Sequence, residues 1–166
     1  MRAAREDRAA HVKELIDETG AQALILFTVV TPGPDKITPE SQGLYVSGRR
    51  AIQDALLGPG IAPLRTDARD LVTGREYYIA LCLPAEEVKR RMCGIEDVLP
   101  FGRLLNINVF DGEGRFIPRT ELGFPERCCL VCGKPGYDCA RTHAHSLEEV
   151  EEIVNIILEE AELELN

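Results

Sequence analysis

The sequence predicts an α+β fold, or an α/β one, formed as a single domain over residues 1–166 with a mixed sheet flanked by helices. Three observations predict it. Apolar, β-branched runs at residues 23–30, 76–83 and 104–110 read as strands. Segments with helical composition or spacing lie around them, most clearly after residue 146. A length of 166 residues suits one core and needs no covalent staples.

Taken in order, residues 2–19 have helix-forming composition, with Gly20 as a stop. The apolar run 23–30 is a buried strand, broken by the turn-forming Thr-Pro-Gly-Pro at 31–34. Helical spacing resumes over 45–57, where Val46, Ile52, Leu56 and Leu57 share a face, and residues 58–63 form a loop. A second strand at 76–83 leads into a helix at 84–93, with Pro84 in its first turn. The strand 104–110 ends at Asp111-Gly-Glu-Gly114, and residues 115–118 are placed to pair back as a hairpin arm. A Cys-rich loop precedes the last helix. That helix opens on a capping box, Ser146 with Glu149, and buries a stripe of Leu147, Val150, Ile153, Val154, Ile157 and Leu158.

The net charge of −9 argues against general affinity for nucleic acid or for an anionic membrane, both of which need a basic face. The acid is concentrated in the tail, where Glu148 to Glu160 includes no basic residue, while Arg103 to Arg141 is locally cationic. No run reaches the ~18 apolar residues of a membrane span. The first twenty residues are too charged for a secretory signal, so a cytoplasmic protein is expected. In a reducing compartment the six cysteines would not form structural disulfides.

The strand at 104–110 carries the most specific signal. Asn106 and Asn108 stand two apart in an apolar run, so they project from the same face. Carboxylates at such a spacing would hold magnesium against a phosphate chain, whereas amides lack the charge. An exposed edge strand doing nothing accommodates the same pair. Asp111, three residues on, points to the opposite face in an uninterrupted strand and cannot replace either residue.

Three segments together resemble the apo-citrate lyase phosphoribosyl-dephospho-CoA transferase family: residues 26–34 (LFTVVTPGP), residues 102–109 (GRLLNINV), and residues 127–132 (RCCLVC) running on to Cys139, Arg141 and His145. The charged cluster at residues 5–8 also sits where that family has a similar segment. The resemblance implies a nucleotidyltransferase-like enzyme. Its substrate is triphosphoribosyl-dephospho-CoA, its acceptor is a serine of the citrate lyase acyl-carrier (gamma) subunit, and pyrophosphate is released. It implies Mg2+ at a pair of aspartates matching positions 106 and 108, weakened here by the two asparagines. Beside that pair it implies Arg103 as a catalytic residue and Gly102 in substrate binding.

Further candidates follow from the chemistry of the substrate. Arg103, Arg119, Arg127 and Arg141 suit its phosphates, because guanidinium matches phosphate geometry. Thr28 and Lys36 adjoin the TPGP segment and are placed to line the pocket. The family-matching set Cys129, Cys132, Cys139 and His145 has the spacing of a structural Zn2+ site, with Cys128 and His143 as alternative ligands. Reduced cysteines packed as small hydrophobes are the competing reading, and a redox dithiol is a third. Cys82 and Cys93 read as core residues and His11 as exposed. The rival function is a non-catalytic, zinc-stabilised protein that binds the acyl-carrier protein or a CoA-like nucleotide.

Overall fold

A computed structural model describes residues 2–56 and 61–161. Helix α1 spans Arg2–Thr19 and stops at Gly20, whose φ of 66° is readily reached only without a side chain. Strand β1 (Ala23–Val29) follows, then helix α2 (Pro39–Leu56). The Thr38 and Ser41 side chains exchange hydrogen bonds with each other's backbone N–H at 3.2 and 2.9 Å, so α2 starts earlier than its apolar spacing suggested. Strands β2 (Arg65–Leu71) and β3 (Gly74–Leu81) form a hairpin. Helix α3 (Ala85–Val98) runs past the predicted end at Cys93. Strand β4 (Leu105–Asp111), a short helix α4 (Gly136–Thr142) and helix α5 (Leu147–Glu160) complete the chain. The predicted capping box at Ser146 and Glu149 is formed.

The four strands lie in the order β2-β3-β1-β4, and all three pairings are antiparallel. This corrects the mixed sheet expected from sequence and selects α+β over α/β. The hairpin arm after Asp111 is limited to a bridge between Phe110 and Phe116, with Ile117 N donating to Val109 O at 2.9 Å. Pro118, which has no N–H, follows directly.

Alternation gives the sheet two different faces. On one, Ala23, Ile25 and Phe27, with Ile79, Leu81, Leu105, Ile107 and Val109, form the main core against α2, α3 and α5. Helix α2 comes so close to β1 that a Cβ on Gly48 would lie 2.4 Å from the Phe27 ring. The buried face of α2 runs through Leu44, Ile52 and Leu56; Val46 points outward, and Leu57 lies outside the described residues. The other face is smaller. There Leu24, Leu26, Tyr78 and Ala80 pack against Val12, Leu15 and Ile16 of α1. His11 belongs to this layer: it is half-buried, bonds Asp67 at 2.7 Å and stands edge-on to Tyr78, so the expected exposure is corrected. Cys93 is buried as expected, whereas Cys82 is exposed.

Strand β4 is an edge, and its free side is closed by side chains. Leu105 O accepts from Arg127 Nη1 at 2.6 Å, Ile107 N donates to Glu96 Oε1 at 3.1 Å, and Ile107 O accepts from Lys89 Nζ at 3.1 Å. Glu96 and Lys89 are buried polar residues of α3. Burial holds the Lys89 ammonium below its ordinary pKa, opposed by Glu96. Helix α3, together with Arg127 and the backbone of Ile117, thus supplies the backbone partners that a fifth strand would otherwise provide.

Candidate functional site

Leu105, Ile107 and Val109 of β4 are buried, and the residues between them are half-buried. Asn106 and Asn108 therefore project together from the α1 side of the sheet, opposite Thr28 and Leu26 of β1. Asn106 Nδ2 donates to Thr28 Oγ1 at 3.1 Å across 78 residues of sequence, tying two of the predicted segments into one place.

One buried carboxylate shares this face. Glu76 of β3 accepts from Tyr78 Oη at 2.6 Å and from Arg8 Nε. Burial, with the Glu76 carboxylate beside it, pushes the Tyr78 phenol far above its ordinary pKa. Asp111 is engaged elsewhere: its carboxylate accepts from the backbone of Glu113 and Arg115 at 3.0 and 2.9 Å and from Arg115 Nε at 3.1 Å. Its pKa is lowered; slight burial opposes the shift and these hydrogen bonds drive it.

These residues do not fit magnesium. The pair offers neutral amides, one with its NH2 committed to Thr28, and Glu76 is already shared by a guanidinium and a phenol.

The remaining candidates separate into two places. Thr28 and Lys36 line one small cavity together, with Lys36 Nζ donating to Thr31 O at 2.7 Å. The arginines lie elsewhere. Arg127 bonds Glu96 at 3.2 Å and the carbonyls of Leu105 and Arg103 at 2.6 and 2.8 Å. Arg103 holds the carbonyls of Cys129 and Leu130 at 3.3 and 3.1 Å. Arg119 forks onto Asp97 at 2.6 and 2.7 Å, and Arg141 is exposed, 3.7 Å from Asp138. Gly102 is enclosed by the end of α3, where a Cβ would lie 2.3 Å from Glu96 O. Among the described residues, the cations around Thr28 are Arg8, Lys36 and Arg75. Arg75 carried no motif signal; only the hairpin geometry brings it there.

The cysteine loop folds back on itself. Cys129 N donates to Lys134 O at 2.6 Å, Gly133 N to Cys129 O at 3.2 Å, and Gly133 takes a φ of 72°. Helix α4 carries Cys139, and His143 closes it in a left-handed conformation, φ 49°, that returns the chain to present His145. The ligand atoms of Cys129, Cys132, Cys139 and His145 all lie within 4.8 Å of one another. Cys132 Sγ is 3.5 Å from Cys139 Sγ and 3.3 Å from His145 Nε2. A tetrahedron with Zn–S bonds of about 2.3 Å has edges of about 3.8 Å, so the set is compatible with a metal ion. Cys128 and His143 are outside this group, although both line the adjoining cavity of about 430 Å³ with Arg103 and Arg127. The Cys129 thiol is lowered to about 7: slight burial opposes the shift, and the backbone N–H groups of Cys132 and Val131 drive it. The hydrogen bond its S–H donates to Cys132 first, then burial, raises Cys139 to about 11.

A family model described as apo-citrate lyase phosphoribosyl-dephospho-CoA transferase matches residues 1–161. A probable apo-citrate lyase phosphoribosyl-dephospho-CoA transferase of Streptococcus pyogenes serotype M18 is 35% identical over 162 residues, covering 95% of this chain and 83% of the relative. A protein of the same description from Vibrio cholerae serotype O1 is 35% identical over 126 residues, 75% of this chain and 71% of that one. Protein CitXG of Haemophilus influenzae is 31% identical over 147 residues, 89% of this chain but 31% of its own greater length.

Proposed function

Because the chain belongs to the apo-citrate lyase phosphoribosyl-dephospho-CoA transferase family, we propose that it moves the phosphoribosyl-dephospho-CoA group from triphosphoribosyl-dephospho-CoA to a serine of the citrate lyase acyl-carrier (gamma) subunit. The serine oxygen forms a bond to the inner phosphorus of the triphosphate, the bond from that phosphorus to pyrophosphate breaks, and the serine proton is released to solvent or base. The observation that carries the placement of this chemistry is the Asn106 to Thr28 hydrogen bond, which joins two family-matching segments on one sheet face.

The reaction requires neutralisation of a phosphate chain, and the amide pair contributes no charge to hold a cation there. Transfer is accordingly slow in this chain and rises when the carboxylates are restored. The test is transfer to apo-acyl-carrier protein by this chain and by its Asn106→Asp, Asn108→Asp form, with magnesium present. The restored form should be faster by at least about tenfold, a barrier change of roughly 1.4 kcal/mol. Equal and substantial rates would refute the charge argument.

The same pair of amides favours a second reading, a non-catalytic protein that binds the carrier or a CoA-like nucleotide. Nucleotide binding without transfer in both forms selects it. In either case Cys129, Cys132, Cys139 and His145 hold zinc as a structural tie for a loop rich in Gly and Pro. The reduced thiols suit a cytoplasmic protein. No helix among the described residues is long and apolar enough to cross a membrane.

A further inference from the structure

The cavity beside Thr28 gathers cations and hydroxyls from separate parts of the chain. It is lined by Arg8, Lys36 and Arg75 and by the threonines Thr28, Thr31 and Thr73, and no carboxylate lines it. These residues come from α1, from the end of β1 and the loop after it, and from the β2–β3 hairpin, so the sheet and its covering helix assemble the cavity together. Two of the cations are fixed from behind, Arg8 by the buried Glu76 and Arg75 by Asp70 at 3.0 Å. Lys36 is different. One of its three N–H groups is spent on Thr31 O, and among the described residues no carboxylate lies within ion-pair distance.

The volume is about 140 Å³, below the ~300–1,000 Å³ of a site that encloses a whole ligand. It therefore suits one charged part of a larger molecule. Cations and hydroxyls converging without an acid match phosphate oxygens. We propose that this cavity seats a phosphate chain, with Lys36 as the cation that binds it and Arg8 and Arg75 as pre-oriented donors. Resting on the transferase reading, it is the place where the triphosphate is held and pyrophosphate leaves, next to Asn106. The positive charge that the amide pair cannot recruit through a metal is supplied here by side chains.

The test is calorimetric titration of the full chain with inorganic pyrophosphate at constant ionic strength. It compares the parent protein with Lys36→Met and Lys36→Glu, whose thermal unfolding is measured alongside. Lys36 bonds only a loop carbonyl, so both variants should fold. The parent should bind saturably, Lys36→Met should bind at least about tenfold more weakly, the weight of one charged hydrogen bond, and Lys36→Glu more weakly still. No saturable binding to the parent, or affinity in both variants equal to the parent's, overturns the proposal.

Transfer assays separate this claim from the function it rests on. Pyrophosphate binding that depends on Lys36, with no transfer by the parent or by its Asn106→Asp, Asn108→Asp form, keeps the cavity and removes the transferase reading. Transfer with an unchanged nucleotide KM in Lys36→Met keeps the transferase and removes the cavity.

Discussion

Replacing Glu96 by leucine should cost this protein a large share of its stability. Glu96 is buried at the end of α3, where its carboxylate accepts from Ile107 N at 3.1 Å and from Arg127 Nη1 at 3.2 Å and lies 3.5 Å from Arg119 Nη1. Leucine fills similar space but accepts nothing. The orphaned Ile107 N–H alone costs about 1–3 kcal/mol. Removing one partner of a buried ion pair costs about 3–5 kcal/mol, a figure that overlaps the first because one side chain makes both contacts. Arg119 keeps Asp97 and Arg127 keeps two carbonyls, which holds the total near the lower end. We expect a loss of about 3–4 kcal/mol, or roughly 6–16 °C in Tm for a chain of this size. Glu96→Gln, which retains an acceptor for Ile107, should lose only about 1–2 kcal/mol. Urea unfolding of the three proteins measures both. If Glu96→Leu fell within about 0.5 kcal/mol of the parent, as an ordinary surface substitution does, the account of the β4 edge would be wrong.

Other expectations test separate parts of the molecule. Gly102→Ala places a Cβ 2.3 Å from the Glu96 carbonyl oxygen, and the forced shift should lower stability by about 1–3 kcal/mol in the same urea assay. Metal analysis of the purified protein should find about one zinc per chain, and Cys132→Ser or His145→Ala should reduce it severely; absence of zinc from the parent removes the claim. The folded state holds the Tyr78 phenol proton more tightly than the unfolded chain, whose ordinary value is 10.0. Stability from this group is therefore complete below that pH and is lost as pH rises through the folded value. Urea midpoints should fall at alkaline pH, and Tyr78→Phe should show a shallower fall.

Legibility from sequence followed the strength of local patterns. The capping box at Ser146 and the stripe behind it are local, so α5 was readable. The central strands β1 and β3 are continuous apolar runs, and β4 alternates with its polar residues on one side. Strand β2 gave no such signal: RTDARDL is an exposed edge whose pairing is decided by the hairpin with β3, so propensity alone does not reveal it. Strand direction was hidden as well, because parallel and antiparallel pairing leave similar marks in a buried run. At the candidate site, the spacing of Asn106 and Asn108 showed that they share a face, whereas the cysteine spacing showed a cluster but left Cys128 and His143 as alternatives, which only the folded loop separates from the four ligand atoms that gather. The partners of the arginines were not legible. That Arg127 closes a strand edge and Arg119 meets Asp97 depends on the packing of α3 against β4, contacts 22 residues or more apart in sequence.

The closure of β4 has a consequence for how such a protein can change over time. Its outer edge is closed through the backbone of Leu105, Ile107, Val109 and Asp111, and the side chains of the first three also fill the core. The even-numbered positions between them take no part in either task. A change from acid to amide at 106 or 108, or back again, therefore touches neither the edge nor the core. The strand keeps two independent registers, one that folding constrains and one that selection for chemistry can rewrite without putting the fold at risk.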